Sequence, residues 1–141
     1  MAVNENLDSQ QLEEGNELLL DFNKLRKVGQ ARAAVVPVAV QNANSKDVLL
    51  IGYANKTALQ YTLEHGVAAF WSTSRDELWV KGATSGDTLE IVEVRVNCEQ
   101  NSLLYIIKPL GVGACHTNDA TGKTRMSCYY RRIKNGQLEF V

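Results

Sequence analysis

The chain has 141 residues, 45% of them apolar and 22% charged, with a net charge of −1. That length suits one domain able to bury a core without disulfides, and the balanced charge excludes a broad nucleic-acid footprint. No apolar run approaches the roughly 20 residues of a membrane span, and MAVNENLDSQQLEEG has neither the basic start nor the apolar stretch of a signal peptide, so a reducing, cytoplasmic setting is expected.

Residues 1–17 read as a polar lead-in with at most a turn of helix and no sign of chemistry, and 18–141 as a single domain. LLLDFNKL (18–25) is an apolar segment expected to dock on the body. AAVVPVAVQNA (33–43) and DVLLIGYA (47–54) predict two strands joined at NSKD, a hairpin with Pro37 at an edge or bulge. NKTALQYTLEHG (55–66) predicts the main helix. Asn55 is its N-cap, Ala58, Leu59, Thr62 and Leu63 share one face, and Gly66 is a left-handed stop. His65 near its C-terminus suits the helix dipole.

VAAFWSTS (67–74) and ELWVKG (77–82) predict strands around an Arg-Asp turn, with Trp71 and Trp79 in the core. TLEIVEVRVN (88–97) alternates apolar and polar residues as a half-buried strand does, and SLLYIIKPL (102–110) is its expected partner. KNG (134–136) between CYYRRI and QLEFV marks a last hairpin. The expected fold class is mostly β with one main α-helix (α+β), built on a mixed or antiparallel folded sheet. TGKT (121–124) resembles the end of a P-loop, but Thr117 stands where the first glycine is required and no strand–loop–helix frame surrounds it.

All three cysteines, Cys98, Cys115 and Cys128, fall within residues 96–133. Three thiols with a neighbouring histidine fit a three-thiolate zinc site with an open fourth position; they equally fit small buried side chains, since free cysteine is often buried. His116 is a candidate fourth ligand or a proton carrier near neutral pH. FWSTSRDELWVKGATSG (70–86) gathers Ser72, Thr73, Ser74, Arg75, Lys81, Thr84 and Ser85 around glycine turns. Hydroxyls, free amides and two cations suit a phosphate group; ordinary hairpin turns account for them as well.

FWSTSRDELWVKGATSG, followed by NCEQNSLL and then by ACHT and SCYY, resembles phosphoribosyl-AMP cyclohydrolase, a zinc hydrolase family of histidine biosynthesis. The likeness starts near Phe22, passes through VLLIGYANKTAL (48–59) and runs to about Tyr130. It implies a cytoplasmic homodimer that opens the adenine ring of phosphoribosyl-AMP at N1–C6. It further implies a zinc ion shared between subunits, held by Cys98 of one chain and Cys115 and Cys128 of its mate. His116 would then move the proton, while Ser72, Ser74, Arg75, Lys81, Thr84 and Ser85 hold phosphate and ribose.

The chain departs from the family pattern at several places. Where the family has Asp-Cys-Asp-x-Asp, whose aspartates bind magnesium, Asn97-Cys98-Glu99-Gln100-Asn101 stands here. Glu99 is the one carboxylate left, and magnesium wants charged oxygens, so no tight magnesium is expected. KGATSG carries Ala83 in place of a glutamate, Asp87 follows it, and NDATGKTRM (118–126) spreads Cys115 and Cys128 farther apart than usual. Two alternatives follow. One is a paralogue using the same zinc chemistry on another cyclic amidine or nucleotide; the other is a non-catalytic, zinc-bound, nucleotide-binding dimer.

Overall fold

The computed structural model describes residues 8–141. Its elements in chain order are α1 (Ser9–Glu14), α2 (Lys24–Gly29), β1 (Val36–Asn42), β2 (Val48–Ala54), α3 (Lys56–His65), β3 (Ala69–Ser72), β4 (Glu77–Val80), β5 (Leu89–Val96), β6 (Leu103–Pro109), β7 (Arg131–Lys134) and β8 (Gln137–Phe140). The expected α+β class holds: the molecule is mostly β, with a mixed sheet and few helices. The main sheet has the order β2-β1-β6-β5, and β3-β4 and β7-β8 are separate hairpins. β1 and β6 run parallel, whereas β1–β2 and β5–β6 are antiparallel.

One face of the main sheet makes the core. Val38 and Val40 of β1, Leu49 of β2, Leu89 of β5 and Tyr105 and Ile107 of β6 meet Phe70 from β3 and Ala58 from α3. Gly52 on β2 is required by this packing, because a Cβ there would come within 2.6 Å of the Phe70 ring. α3 begins where Asn55 Oδ1 accepts the Ala58 N–H at 2.9 Å and ends at Gly66, whose φ is +69°. Thr62 is fully buried and bridges to β3: its hydroxyl accepts the Ala69 N–H at 3.0 Å and donates to the Ala69 carbonyl at 3.3 Å. Tyr105 donates to that same carbonyl. His65 stacks on Tyr61 and hydrogen-bonds its carbonyl, so it finishes the helix and stays remote from the thiols.

Four sequence expectations change. Leu63 is 62% exposed, so the buried stripe of α3 is narrower than its apolar pattern. A bulge at Val92 shifts the phase of β5, so that Val94 rather than Glu93 follows Leu89 and Ile91 onto the core side and Val92 is left exposed; Val96, at the strand end, is exposed as well. Trp79 is half exposed, covering Phe70 from outside, whereas Trp71 packs against the core. The apolar segment 18–25 is covered only in part: Leu18 and Leu19 are half-buried, whereas Phe22 is 89% exposed and Leu20 and Leu25 are open, with Asp21 paired to Lys27 of α2.

The lead-in holds more structure than its composition announces. Residues 1–7 of the expected lead-in lie outside the described residues. α1 is capped by Asp8 and lies against the C-terminal part of the chain. Arg131 donates to the Leu12 and Gly15 carbonyls, Tyr130 Oη to the Glu13 carbonyl, and the Leu138 N–H to the Asn16 carbonyl. Glu14 closes the contact with a two-pronged ion pair to Arg125, at 2.7 and 2.8 Å. Hydrogen bonding to Arg125 holds the Glu14 carboxyl below its ordinary range.

Two outcomes follow. Thr62→Val keeps the volume but strands the Ala69 N–H, and is expected to destabilise the protein by about 1–3 kcal/mol, read as a lower urea midpoint at unchanged slope. Because the Glu14 pKa is depressed on docking, its contribution is present above the ordinary carboxylate range and disappears as pH falls through the lowered value. Limited proteolysis near residues 15–20 is therefore expected to speed up on acidification in the native protein, and to be fast at all pH values in Glu14→Ala.

Candidate active site

Cys115 and Cys128 come together because backbone pairing ignores the residues looped out between them. The Ala114 N–H donates to the Met126 carbonyl, the Cys115 N–H to the Arg125 carbonyl and the Arg125 N–H to the Thr117 carbonyl. Gly113 permits this approach, since a Cβ there would lie 2.3 Å from the Arg125 oxygen. The intervening residues make a small hairpin in which Asp119 accepts the Thr121 and Lys123 N–H groups. No helix follows TGKT, so that stretch is a turn. Cys128 is then pinned to β2 by its N–H on the Leu49 carbonyl at 2.7 Å, with the Ser127 hydroxyl on Val48.

Cys115 acts on the Cys128 thiol. Burial pushes the Cys128 thiol up to about 12, and the charge and hydrogen bond of Cys115 add to the rise, with Lys81 opposing it. Cys128 is exposed as a residue, yet its sulfur faces inward toward Cys115, and that desolvation decides its protonation. Cys115 is buried, and its sulfur lies 3.1 Å from Thr117 Oγ1. A soft sulfur that resists ionisation beside a second, buried one is a donor set that suits zinc, since a coordinated thiol loses its proton outright. Among the described residues of one chain, no group of three or more His, Cys, Asp or Glu side chains could hold a metal ion. Cys98 sits apart, exposed in the turn between β5 and β6.

A cleft of about 610 Å³ opens beside this pair, bounded by Cys115 and His116 on one side and by Lys81, Gly82, Thr84 and Ser85 on the other. Lys81 is only 6% exposed, and its ammonium reaches the Asp87 carbonyl at a long 3.5 Å. The loop after β4 folds back tightly: Gly82 has φ +79°, and a Cβ on it would strike the Asp87 carbonyl. Asp87 itself is a staple, accepting the Val112 N–H at 2.9 Å. Lys81, Thr84 and Ser85 thus meet the thiols and His116. Ser72, Ser74 and Arg75 do not join them. They cluster at the opposite end of β4, about 13 Å of strand away, where Ser72 Oγ accepts the Arg75 N–H and Arg75 faces Glu77.

The turn that carries Cys98 is closed by its own amides. Asn97 Oδ1 accepts the backbone N–H groups of Asn101 and Ser102, both at 2.9 Å. That fixes the orientation of the Asn97 amide, so its Nδ2 donates to Asn101 Oδ1 at 2.6 Å. The Asn101 Nδ2 in turn donates to Glu99 Oε2 at 3.2 Å. Amide protons occupy the directions in which a hard cation would need oxygens. These residues do not fit magnesium.

Glu13 and Glu14 are the site residues that the sequence conceals. Glu13 Oε2 lies 2.6 Å from His116 Nε2, and Arg125, held by Glu14, donates to Thr117 Oγ1 at 3.0 Å. A pair of glutamates in a polar lead-in looks like any solvated helix end, and nothing local marks it.

Residues 50–130 match the family model described as phosphoribosyl-AMP cyclohydrolase. The chain is 45% identical over 107 residues to the phosphoribosyl-AMP cyclohydrolase of Hyphomonas neptunium, covering 76% of each chain. It is 40% identical over 104 residues to that of Archaeoglobus fulgidus, covering 74% of this chain and 90% of the relative. With the phosphoribosyl-AMP cyclohydrolase of Desulfatibacillum aliphaticivorans it shares 34% identity over 122 residues, 86% of this chain and 87% of the other.

The native protein is expected to give no calorimetric signal with magnesium at the Cys98 turn. Asn97→Asp with Asn101→Asp sets carboxylate oxygens face to face, and that variant is expected to take up the ion. Equal magnesium binding by the two proteins would show that this turn does not control it.

Proposed function

The chain belongs to the phosphoribosyl-AMP cyclohydrolase family and is a hydrolase acting on a cyclic amidine C–N bond; from that premise we propose that it hydrolyses the N1–C6 bond of phosphoribosyl-AMP in histidine biosynthesis, using zinc held between two subunits. The observation that carries this reading is the Cys115–Cys128 sulfur pair at the edge of a cleft furnished with Lys81, Thr84, Ser85 and His116. One chain supplies two sulfurs in place, and Cys98 of a second copy would complete the set. The uncovered apolar side chains of Leu20, Phe22 and Leu25 are consistent with a homodimer.

When bound, zinc supplies Lewis acidity that lowers the pKa of water toward about 7. The rest falls to the chain. Lys81, desolvated and beside the thiols, offers a positive charge to a substrate anion. Thr84 and Ser85, on the tight loop after Gly82, offer hydroxyls to phosphate and ribose, which orients the ring and spends remote contacts on positioning. His116 at the cleft edge accepts or returns the proton that moves as the ring opens. Ser72, Ser74 and Arg75 would contribute from the far end of β4 to a substrate lying across the subunit boundary. Magnesium has no part at the Cys98 turn, because Asn97 and Asn101 already cross-link it.

A second reading keeps the zinc chemistry and changes the substrate. Ala83, Asp87 and the hairpin at 118–124 alter the cleft itself, and these favour a paralogue acting on another cyclic amidine or nucleotide.

Purified protein is expected to hold about one zinc per chain, as the shared three-sulfur arrangement requires. It is expected to turn over phosphoribosyl-AMP equally with magnesium and with a magnesium chelator that spares zinc. No turnover by intact zinc-loaded dimer would transfer the proposal to the second reading. Mixing Cys98→Ser with Cys128→Ser subunits is expected to restore activity, since a mixed dimer keeps one complete set of sulfurs. Absence of rescue despite proven subunit exchange would exclude the shared site.

A further inference from the structure

α1 brings two carboxylates to the rim of the cleft. Glu14 grips Arg125, which is itself nearly buried and stacked 4.0 Å above the Tyr130 ring. The neighbouring Glu13 meets His116 Nε2 at 2.6 Å. Three features separate this contact from an ordinary surface ion pair. The helix is anchored independently of the Glu13 side chain, through Tyr130 Oη on the Glu13 carbonyl and through Arg131. The Glu13 side chain is only 26% exposed, although the His116 side chain it meets is 79% exposed. His116 also lines two spaces: the cleft shared with Cys115 and Lys81, and a hollow of about 220 Å³ shared with Glu13. α1 and Arg131 both lie outside residues 50–130, the stretch that matches the family model.

We propose that Glu13 is the positioning carboxylate of His116. By accepting the Nε2–H, the carboxylate fixes both the plane of the ring and its neutral tautomer, which leaves Nδ1 as the nitrogen that takes the proton. The nearest parallel in chemistry is the carboxylate that orients the histidine of a serine-hydrolase triad, which acts without exchanging its own proton. Here the carboxylate arrives from a segment 103 residues away in sequence. Its delivery depends on the Glu14–Arg125 clamp beside it, and Arg125 belongs to the segment that spreads the two cysteines apart. The lead-in and that segment therefore act as one unit. This inference rests on His116 being the proton carrier.

The test uses full-length, zinc-loaded protein labelled with 15N in histidine, at a pH where the ring is neutral. The native spectrum is expected to show the Nε2–H tautomer of His116, and Glu13→Ala a mixture of tautomers. In Glu13→Ala, kcat is expected to fall by about tenfold, with KM changing by less than roughly twofold, the pattern of an interaction that serves the transition state. Glu13→Gln, whose amide oxygen still accepts from Nε2–H, is expected to retain the tautomer and most of kcat. Unchanged proteolysis near residues 15–20 in these variants shows that α1 stays seated. A native ring protonated on Nδ1, or Glu13→Ala with native tautomer and native kcat, overturns the proposal. His116→Ala separates the two levels. Full activity in that variant overturns the proton-carrier reading itself, whereas its loss beside a fully active Glu13→Ala overturns the role of Glu13 alone.

Discussion

The arrangement of the site depends on a short run of backbone pairing. Residues 114–117 and 125–126 hydrogen-bond as if they were adjacent strands, and the Cys128 N–H then fastens the chain to β2. Two sulfurs separated by 13 positions (115 to 128) are thereby held side by side. Burial, with Cys115 beside it, makes Cys128 reluctant to ionise, which is the electrostatic condition that a soft divalent cation relieves. Lys81 is buried nearby with its ammonium toward the Asp87 carbonyl, and the loop that presents it is held by Asp87 and by the compact backbone at Gly82.

The Cys98 turn illustrates how a thiol can be oriented without an ion. Aspartates in the same places would bring two carboxylate oxygens to hydrogen-bonding distance, a repulsive contact unless a cation intervenes. The amide of Asn97 presents one acceptor to the backbone and one donor to Asn101, so a proton fills the gap. A charge-assisted cross-link requiring an ion is replaced by a neutral one that is complete within the chain.

Much of this was legible in the residues. The helix caps at Asn55 and Gly66, the strand pairs and the last hairpin follow from local chemistry, which needs only neighbours in sequence. Cys115, His116, Lys81, Thr84 and Ser85 were singled out by residue type, and the fold brings them to one cleft. What failed to show was non-local. The β5 bulge leaves Val92 unpaired and exposed and brings Val94 onto the core side, so the apolar Val92 does not join the buried face its residue type suggests. Ser72, Ser74 and Arg75 looked continuous with Lys81 in sequence, but an extended strand carries its ends far apart. Glu13 and Glu14 are near neither cysteine in sequence, and their meaning comes only from the docking of α1.

The hairpin at 118–124 closes on itself, with Asp119 satisfying its amides and Asn118 bridging Thr124. Its tip at Ala120–Gly122 faces solvent, and the pairing at its base sets the sulfur positions whatever the length above. The tip is therefore a natural attachment point: a fluorophore or a short epitope placed there would ride within a few residues of the thiol pair while leaving its backbone frame intact. Lineages could likewise lengthen or trim this stretch without moving the two thiols.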